Sequence, residues 1–133
     1  MLTLKLMPRF SETDTLGHIS NTTYPVWLED CRTGLFNLVH PTGTTHDWPL
    51  IIARLEQDFV NQCYLNQEVT VTTWVEKIGT KSFTLGQKIE QNGNTIVNAR
   101  AIMVWFDYKS NSTVAMPEEI RAKLSTLMLP AEQ

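Results

Sequence analysis

The sequence predicts an α+β fold in which one amphipathic helix packs against the concave face of a curved, largely antiparallel sheet of five strands. An apolar stripe at helical spacing occurs near the N-terminus, and four segments with alternating apolar and polar residues follow it. A fifth alternating segment precedes the helix. Because one helix and one sheet leave exposed strand edges and an apolar rim, we expect the chain to form at least a dimer.

The chain begins with a strand and a loop. Leu2, Leu4 and Leu6 alternate with polar residues, a pattern that predicts a half-buried strand. The segment from Ser11 to the start of the helix is polar and contains Gly17, so we expect a loop there.

The helix is predicted by an apolar stripe of about four turns. Its members recur at spacings of three and four residues: Tyr24, Trp27, Leu28, Cys31, Leu35, Leu38 and Val39. Asn21, Thr22 or Thr23 can cap its N-terminus. Pro25 suits the first turn, where its missing N–H would have no partner. The segment 40–43, His-Pro-Thr-Gly, is expected to end the helix.

The rest of the chain predicts four strands and a short helix. The predicted strands occupy residues 50–60, 68–78, 82–91 and 95–107, and the alternation is clearest in 68–78. Asn92 and Gly93 form a two-residue hairpin signal between the last two strands. The last strand becomes apolar on both faces from residue 99, so we expect its second half to be central and covered. Pro117 then opens a helix over residues 117–124, with acidic residues at the favourable end.

The composition is that of a globular protein and narrows the range of partners. The 133 residues are 42% hydrophobic and 19% charged, which fits one domain spanning residues 1–133. The net charge of −3 argues against nucleic acid or an anionic membrane as the main partner. No apolar run is long enough to cross a bilayer. Cys31 and Cys63 lack CxxC spacing, so we expect reduced thiols in a cytoplasmic protein.

Chemically useful side chains concentrate in the loop before the helix. A carboxylate (Asp14), an imidazole (His18), an amide (Asn21) and a phenol (Tyr24) fall within eleven residues, with Gly17 between the first two. A helix N-terminus presents unpaired backbone N–H groups and partial positive charge, which favour anions and developing oxyanions. A carboxylate beside such a site has the parts needed for attack on an acyl carbonyl.

Each of these residues also has an ordinary structural interpretation. Asp14 suits a turn, His18 suits a packed and hydrogen-bonded histidine, and Asn21 suits a helix cap. Tyr24 is also the first member of the buried stripe, and Gly17 supplies a backbone conformation that a side chain would block. The functional interpretation depends on the five residues occurring together.

Other reaction classes lack their motifs. The chain contains no G-x-S-x-G, no P-loop and no G-x-G-x-x-G followed by a helix. His40 and His46 flank a loop, but no cysteine or third histidine stands at ligand spacing, so we expect no metal site. Cys31 lies on the apolar stripe, which disfavours it as a nucleophile. The strand region has basic residues that suit either solvated positions or contacts with phosphates at a sheet edge: Lys77, Lys81, Lys88 and Arg100.

The loop and the first half of the helix follow a recognisable order. Residues 14–24 read Asp-x-x-Gly-His-Ile-x-Asn-x-x-Tyr, and residues 29–32 read Glu-x-x-Arg. This order resembles the signature of the 4-hydroxybenzoyl-CoA thioesterase family, which are acyl-CoA thioesterases of the hotdog fold. Ile19 stands for the usual valine and Ser20 for the first asparagine of the family pattern. The resemblance covers nearly the whole chain, because it continues in Asp58-Phe59, in Gly79-x-x-Ser82 and in the Met-Pro-Glu-Glu-Ile segment before the last helix.

The resemblance implies a long central helix wrapped by a five-stranded antiparallel sheet, paired into homodimers or homotetramers with active sites at the subunit interface. It implies that Asp14 is the catalytic carboxylate, which either attacks the thioester carbon or activates water as a general base. Backbone N–H groups of residues 17–23 would hold the oxyanion. His18 and Asn21 would orient the acyl carbonyl or the carboxylate.

The same resemblance implies the ligands. The substrate would be an acyl-CoA, with Lys81 and Ser82 as candidates for binding its pantetheine and phosphate arm. No metal or organic cofactor is implied, since thioester hydrolysis needs only a nucleophile and charge stabilisation. Two other functions stay open, an acyl-carrier-protein thioesterase and an acyl-CoA-binding protein without turnover. A hydratase of the same fold is disfavoured, because its paired Asp and His at a different spacing are not found.

Overall fold

The computed structural model describes residues 1–41 and 48–129. A strand β1 and a short 3₁₀ turn at Phe10–Glu12 precede the first helix, and strands β2 to β6 then lead to a second helix. The bounds are β1 Leu2–Leu6, α1 Tyr24–Val39, β2 Leu50–Phe59, β3 Val69–Ile78, β4 Ser82–Gln91, β5 Asn94–Asp107, β6 Ser112–Thr113 and α2 Glu118–Ser125. The predicted strands and helices therefore all form, with ends within two residues of the expected positions.

The sheet is antiparallel and has the strand order β1-β3-β4-β5-β2. A sixth strand, β6, pairs with the end of β5 through Phe106 and Asp107, so the prediction of five strands is wrong by this one short element. Two residues are too few to show alternation, and the hairpin depends on Asn111 adopting a positive φ of 54°. The predicted hairpin at Asn92 and Gly93 is confirmed, since both residues have positive φ.

Strand β5 lies between β4 and β2, as its apolar composition predicts. Its inward residues Ala101 and Met103 are buried, whereas Ile102 and Val104 on the other face are half-buried. The described subunit therefore covers only one face of the strand. Strand β2 forms one edge of the sheet.

Helix α1 buries its predicted apolar stripe together with Arg32, except for Leu38, which is half-buried. Its 16 residues are somewhat more than the average of about 10–14 in globular proteins, so the description of this helix as long is not confirmed. Thr23 occupies the capping position, but its hydroxyl donates to the Glu12 carbonyl oxygen at 3.4 Å instead of capping the helix. The helix ends at Val39, and part of the predicted stop signal, residues 42 and 43, lies outside the described residues.

A buried polar network joins α1 to the centre of the sheet. Arg32 Nη1 donates to Gln87 Oε1 at 2.9 Å. The amide nitrogen of Gln87 donates to the Leu28 carbonyl oxygen at 2.9 Å and to Thr73 Oγ1 at 2.8 Å. Thr73 in turn donates to Cys31 Sγ at 3.1 Å. These bonds join the middle of α1 to inward positions of β3 and β4.

The outer face of the sheet has one close contact that depends on glycine. Gly86 pairs with Trp74 in the β3–β4 register, and an added Cβ at position 86 would overlap the Trp74 indole. We expect Gly86→Ala to lower the free energy of unfolding by about 1–3 kcal/mol, measured by urea denaturation. The loss of stability caused by Gly86→Ala should be smaller when Trp74 is replaced by alanine, because the overlapping indole is then absent. Gly34→Ala is the matched control, because its Cβ would meet Leu2 at an ordinary 3.4 Å.

Neither α1 nor α2 is long and apolar enough to span a membrane, and no other helix in residues 1–41 and 48–129 is.

Candidate active site

An open cavity of about 590 Å³ lies where the loop before α1 meets the end of β2. The cavity is lined by the loop, by the first residue of α1, by the last residue of β2 and by the segment that follows β2. Its lining residues are Asp14, Ile19, Ser20, Asn21, Tyr24, Phe59, Val60, Asn61 and Gln62. Three of the five predicted catalytic residues, Asp14, Asn21 and Tyr24, are thus brought together.

The Asp14 carboxylate is fixed by its own loop. Its Oδ1 atom accepts hydrogen bonds from the N–H groups of Leu16 at 2.8 Å and His18 at 3.2 Å. The backbone closes the same loop, because Asp14 N donates to the His18 carbonyl oxygen at 2.7 Å. Gly17 has φ +81°, so its predicted conformational role is confirmed. One carboxylate oxygen is therefore occupied, and Oδ2 accepts no hydrogen bond from the described part of the chain.

Several cavity-lining residues have a backbone N–H group without an acceptor among the described residues, including Asn21 and Tyr24 at the start of α1 and Gln62 after β2. The neighbouring N–H groups all have acceptors: Ile19 donates to the Cys63 carbonyl oxygen, Ser20 to that of Glu12, Thr22 to Ser20 Oγ and Thr23 to the Ser20 carbonyl oxygen. Donors without partners at a helix N-terminus favour a negatively charged oxygen. Of the N–H groups of residues 17–23, which the resemblance implied as oxyanion donors, only that of Asn21 has no acceptor in the described part of the chain, and Tyr24 lies one residue beyond that range.

His18 does not line the cavity. Its backbone pairs with that of Tyr64, and the two rings meet edge to face with centroids 5.5 Å apart. The imidazole is therefore a packed side chain in this subunit, which agrees with its structural interpretation. The backbone N–H of His18 nevertheless contributes to the site through its bond to Asp14.

Tyr24 is buried against the cavity wall. Its ring packs on Trp27 and Phe59, with centroids 5.7 Å and 5.8 Å away, and its hydroxyl donates to the Ile19 carbonyl oxygen at 3.5 Å. Burial, with smaller contributions from the nearby Cys63 and Asp14, raises the pKa of Tyr24 to about 12. The phenol therefore stays protonated at neutral pH and cannot serve as a base.

Lys81 and Ser82 lie far from this cavity within the subunit. Ser82 begins β4, whereas Gln91 at the other end of the strand bonds to the backbone of Tyr64, which packs on His18. A ten-residue strand separates its two ends by ~30 Å. Any contact of Lys81 and Ser82 with a ligand in the cavity would have to come from another subunit.

Two features in or beside the cavity were not among the predicted site residues. The first is the segment from Phe59 to Gln62, which is held beside the loop by the bond of the Ile19 N–H to the Cys63 carbonyl oxygen. The second is Glu12, whose carboxylate contacts α1. An acidic residue two positions before Asp14 was visible in the sequence, but its partner could not be read from spacing.

Comparison with known proteins places the chain in a family. Residues 8–124 match the sequence model of the thioesterase-like superfamily. The chain belongs to this superfamily. Members of this superfamily have the hotdog fold, in which a helix lies on an antiparallel sheet, as it does in this chain.

Individual relatives agree with this assignment. A predicted thioesterase from Bacillus stearothermophilus is 40% identical and superposes with a TM-score of 0.94, covering 98% of each chain. A Thermus thermophilus thioesterase solved with coenzyme A and Zn is 25% identical, with a TM-score of 0.84 over 95% of this chain and 92% of that one. The long-chain acyl-CoA thioesterase FadM of Escherichia coli is 26% identical over 119 residues, which are 86% of this chain and 90% of FadM.

The two thiols of this thioesterase-like protein are buried and outside the cavity lining. Burial, together with a smaller effect of Glu12, raises the pKa of Cys63 to about 11, and burial also raises the pKa of Cys31. At pH 8.5 we expect iodoacetamide to label Cys63 at least ~100-fold more slowly in the native protein than in urea, since little thiolate is present. Mass spectrometry after timed quenching measures both rates. Equal rates in the two states would contradict this expectation.

Proposed function

We propose that this protein is an acyl-CoA thioesterase, which hydrolyses an acyl-CoA to a free carboxylic acid and coenzyme A. The observation that supports this most is the cavity in which the Asp14 carboxylate lies near two unused N–H groups, those of Asn21 and Tyr24. Acyl transfer to water requires a nucleophile or a base and hydrogen-bond donors that stabilise the oxyanion. The motif over residues 14–24 supports a 4-hydroxybenzoyl-CoA thioesterase-like member of the superfamily.

Asp14 would act through Oδ2, because Oδ1 is occupied by two N–H groups. In one route Oδ2 attacks the thioester carbon, the C–S bond breaks with departure of the CoA thiolate, and water then hydrolyses the mixed anhydride. In the other route Oδ2 removes a proton from a water molecule that attacks the same carbon. Both routes use the same fixed carboxylate orientation and both return Asp14 unchanged.

The carbonyl oxygen of the substrate would lie at the N-terminus of α1. There the N–H groups of Asn21 and Tyr24 would donate to it, and the partial positive charge of the helix would favour the negative charge that develops. Loss of one such donor typically lowers the rate by about 10²–10³-fold. We propose that Gly17 and His18 contribute through the backbone of the loop, which holds the carboxylate opposite these donors.

The CoA part of the proposal is supported by two relatives. One is named a long-chain acyl-CoA thioesterase, and another was solved with coenzyme A. We propose a homodimer or homotetramer in which the unpaired edge of β2 meets a second subunit, and in which Lys81 and Ser82 of a second subunit contact the CoA arm. Three apolar residues at or beside the cavity are exposed: Leu16, Phe59 and Val60. Such exposure is consistent with a surface that a second subunit covers or with a binding site for the acyl group.

The proposed reaction uses no metal or organic cofactor, since a carboxylate, water and the N–H donors supply every step. We propose a cytoplasmic location, with neither nucleic acid nor a membrane as partner, in keeping with the net charge of −3 and the two buried free cysteines.

The test is release of CoA thiol from a panel of short, long and aromatic acyl-CoAs, followed with a thiol reagent. Hydrolysis of at least one member is the expected result. Release only from an acylated carrier protein would replace the proposal with the acyl-carrier-protein alternative. Tight binding of acyl-CoA without release from any carrier would replace it with the binding-protein alternative.

A further inference from the structure

Glu12 joins three parts of the structure around the cavity. Its Oε2 atom accepts the indole N–H of Trp27 on α1 at 2.9 Å, and its Oε1 atom accepts the backbone N–H of Arg9 at 2.7 Å. Its carbonyl oxygen accepts the N–H of Ser20 at 2.8 Å, just before the helix. The side chain is only 13% exposed, so these bonds are largely shielded from water.

These bonds form the base of the loop that presents Asp14. The loop is a small hairpin, closed by Glu12 with Ser20, by an isolated bridge of Thr13 with Ile19, and by Asp14 with His18. The hairpin is joined to the start of α1 by Thr23, whose N–H donates to the Ser20 carbonyl oxygen and whose hydroxyl donates to the Glu12 carbonyl oxygen. The Glu12–Trp27 bond adds a side-chain link one turn further along the helix, where Trp27 is buried.

We propose that Glu12 is a positioning residue of the thioesterase site: through Trp27 it sets the distance between the Asp14 carboxylate and the N–H donors of Asn21 and Tyr24. Glu12 does not line the cavity and touches no reacting atom. Its effect is geometric, and a displacement of about 1 Å at a reacting group can cost ~10²-fold in rate. The inference rests on the proposed function, since it assigns a role within that reaction.

The chemistry of the contact requires a carboxylate. Two N–H donors, from Trp27 and Arg9, converge on the two oxygens of Glu12. A glutamine in the same place has one oxygen and one NH₂ group, so one of its ends must face an N–H donor. Glu12→Gln therefore breaks one of these two bonds, which together we call the Glu12 clamp, while it keeps the size of the side chain.

The kinetic test compares Glu12→Gln with wild type on the best acyl-CoA of the panel. We expect kcat to fall by about 10–100-fold with KM within about threefold, because the reacting groups are misplaced and the binding surface is intact. When Asp14 is already replaced by asparagine, Glu12→Gln should lower kcat by a further factor of less than about three, because Glu12 acts through Asp14. Glu118→Gln on α2, whose side chain is 92% exposed, is the matched control and should leave kcat unchanged.

A second readout needs no turnover. Hydrogen exchange of the Leu16 and His18 N–H groups, which bond to Asp14, should become at least about 10-fold faster in Glu12→Gln and in Trp27→Phe. Unchanged exchange in both variants would overturn the inference, as would an equal kcat loss in the presence and absence of the Asp14 carboxylate. Absence of hydrolysis in wild type would refute the proposed function alone, and the exchange measurement would still test the Glu12 clamp.

Discussion

Asp14→Asn should lower acyl-CoA hydrolysis by about 10²–10⁴-fold while the protein stays folded. Asparagine keeps the side-chain oxygen that accepts the N–H groups of Leu16 and His18, so the loop retains its shape. It replaces the other oxygen by an NH₂ group, which can neither attack a thioester nor accept a proton from water. The variant thus separates the chemistry of Asp14 from its structural contribution.

Steady-state kcat for the best acyl-CoA is the measurement, with urea denaturation to verify folding. Asp30→Asn is the matched control, because Asp30 is exposed on α1 and does not line the cavity. Asp14→Ala should lower kcat by the same factor as Asp14→Asn. It should also destabilise the loop, because the N–H groups of Leu16 and His18 lose their acceptor. Full hydrolysis by Asp14→Asn would refute the assignment of this carboxylate.

Gln87→Leu should lower the free energy of unfolding by about 3–5 kcal/mol, the largest stability effect we expect. Gln87 is completely enclosed and makes three hydrogen bonds at once, to Arg32, Leu28 and Thr73. Its removal leaves the buried guanidinium of Arg32 without its partner among the described residues, and Arg32 Nε already has none. Burial lowers the pKa of Arg32, which shows that the environment disfavours its charge.

Urea denaturation measures this loss, with Gln67→Leu as the control because Gln67 is exposed. Arg32→Met should cost less than Gln87→Leu, since it removes the buried charge itself and leaves only a neutral amide oxygen unpaired. The reverse order of the two variants would show that the charge is compensated by a group outside the described chain.

Local patterns were sufficient for most of the fold. The alternation at residues 82–91 predicted β4 to the residue, and the spacing of apolar residues predicted α1 from Tyr24. Both are short-range signals, because side-chain periodicity is set by the backbone conformation of the segment itself. β6 was missed, since a two-residue strand has no period and owes its existence to pairing with the end of β5.

Local sequence patterns predicted only part of the candidate site. Asp14, Asn21 and Tyr24 were identified because they are neighbours in sequence, and the cavity brings them together. His18 met the same criterion yet packs on Tyr64, a residue 46 positions away whose presence no local pattern indicates. The assignment of Lys81 and Ser82 to the CoA arm stays a prediction that requires a second subunit.

The sequence by itself determined the order and type of the elements and the loop chemistry at residues 14–24, because periodicity, turn residues and helix starts are local properties. Only the tertiary structure decided that Phe59 and Asp14 line the same cavity and that Glu12 bonds to Trp27. It also decided that Gln87 pairs with a buried Arg32. These contacts arise from strand order and helix placement, which depend on how the whole apolar surface is buried at once.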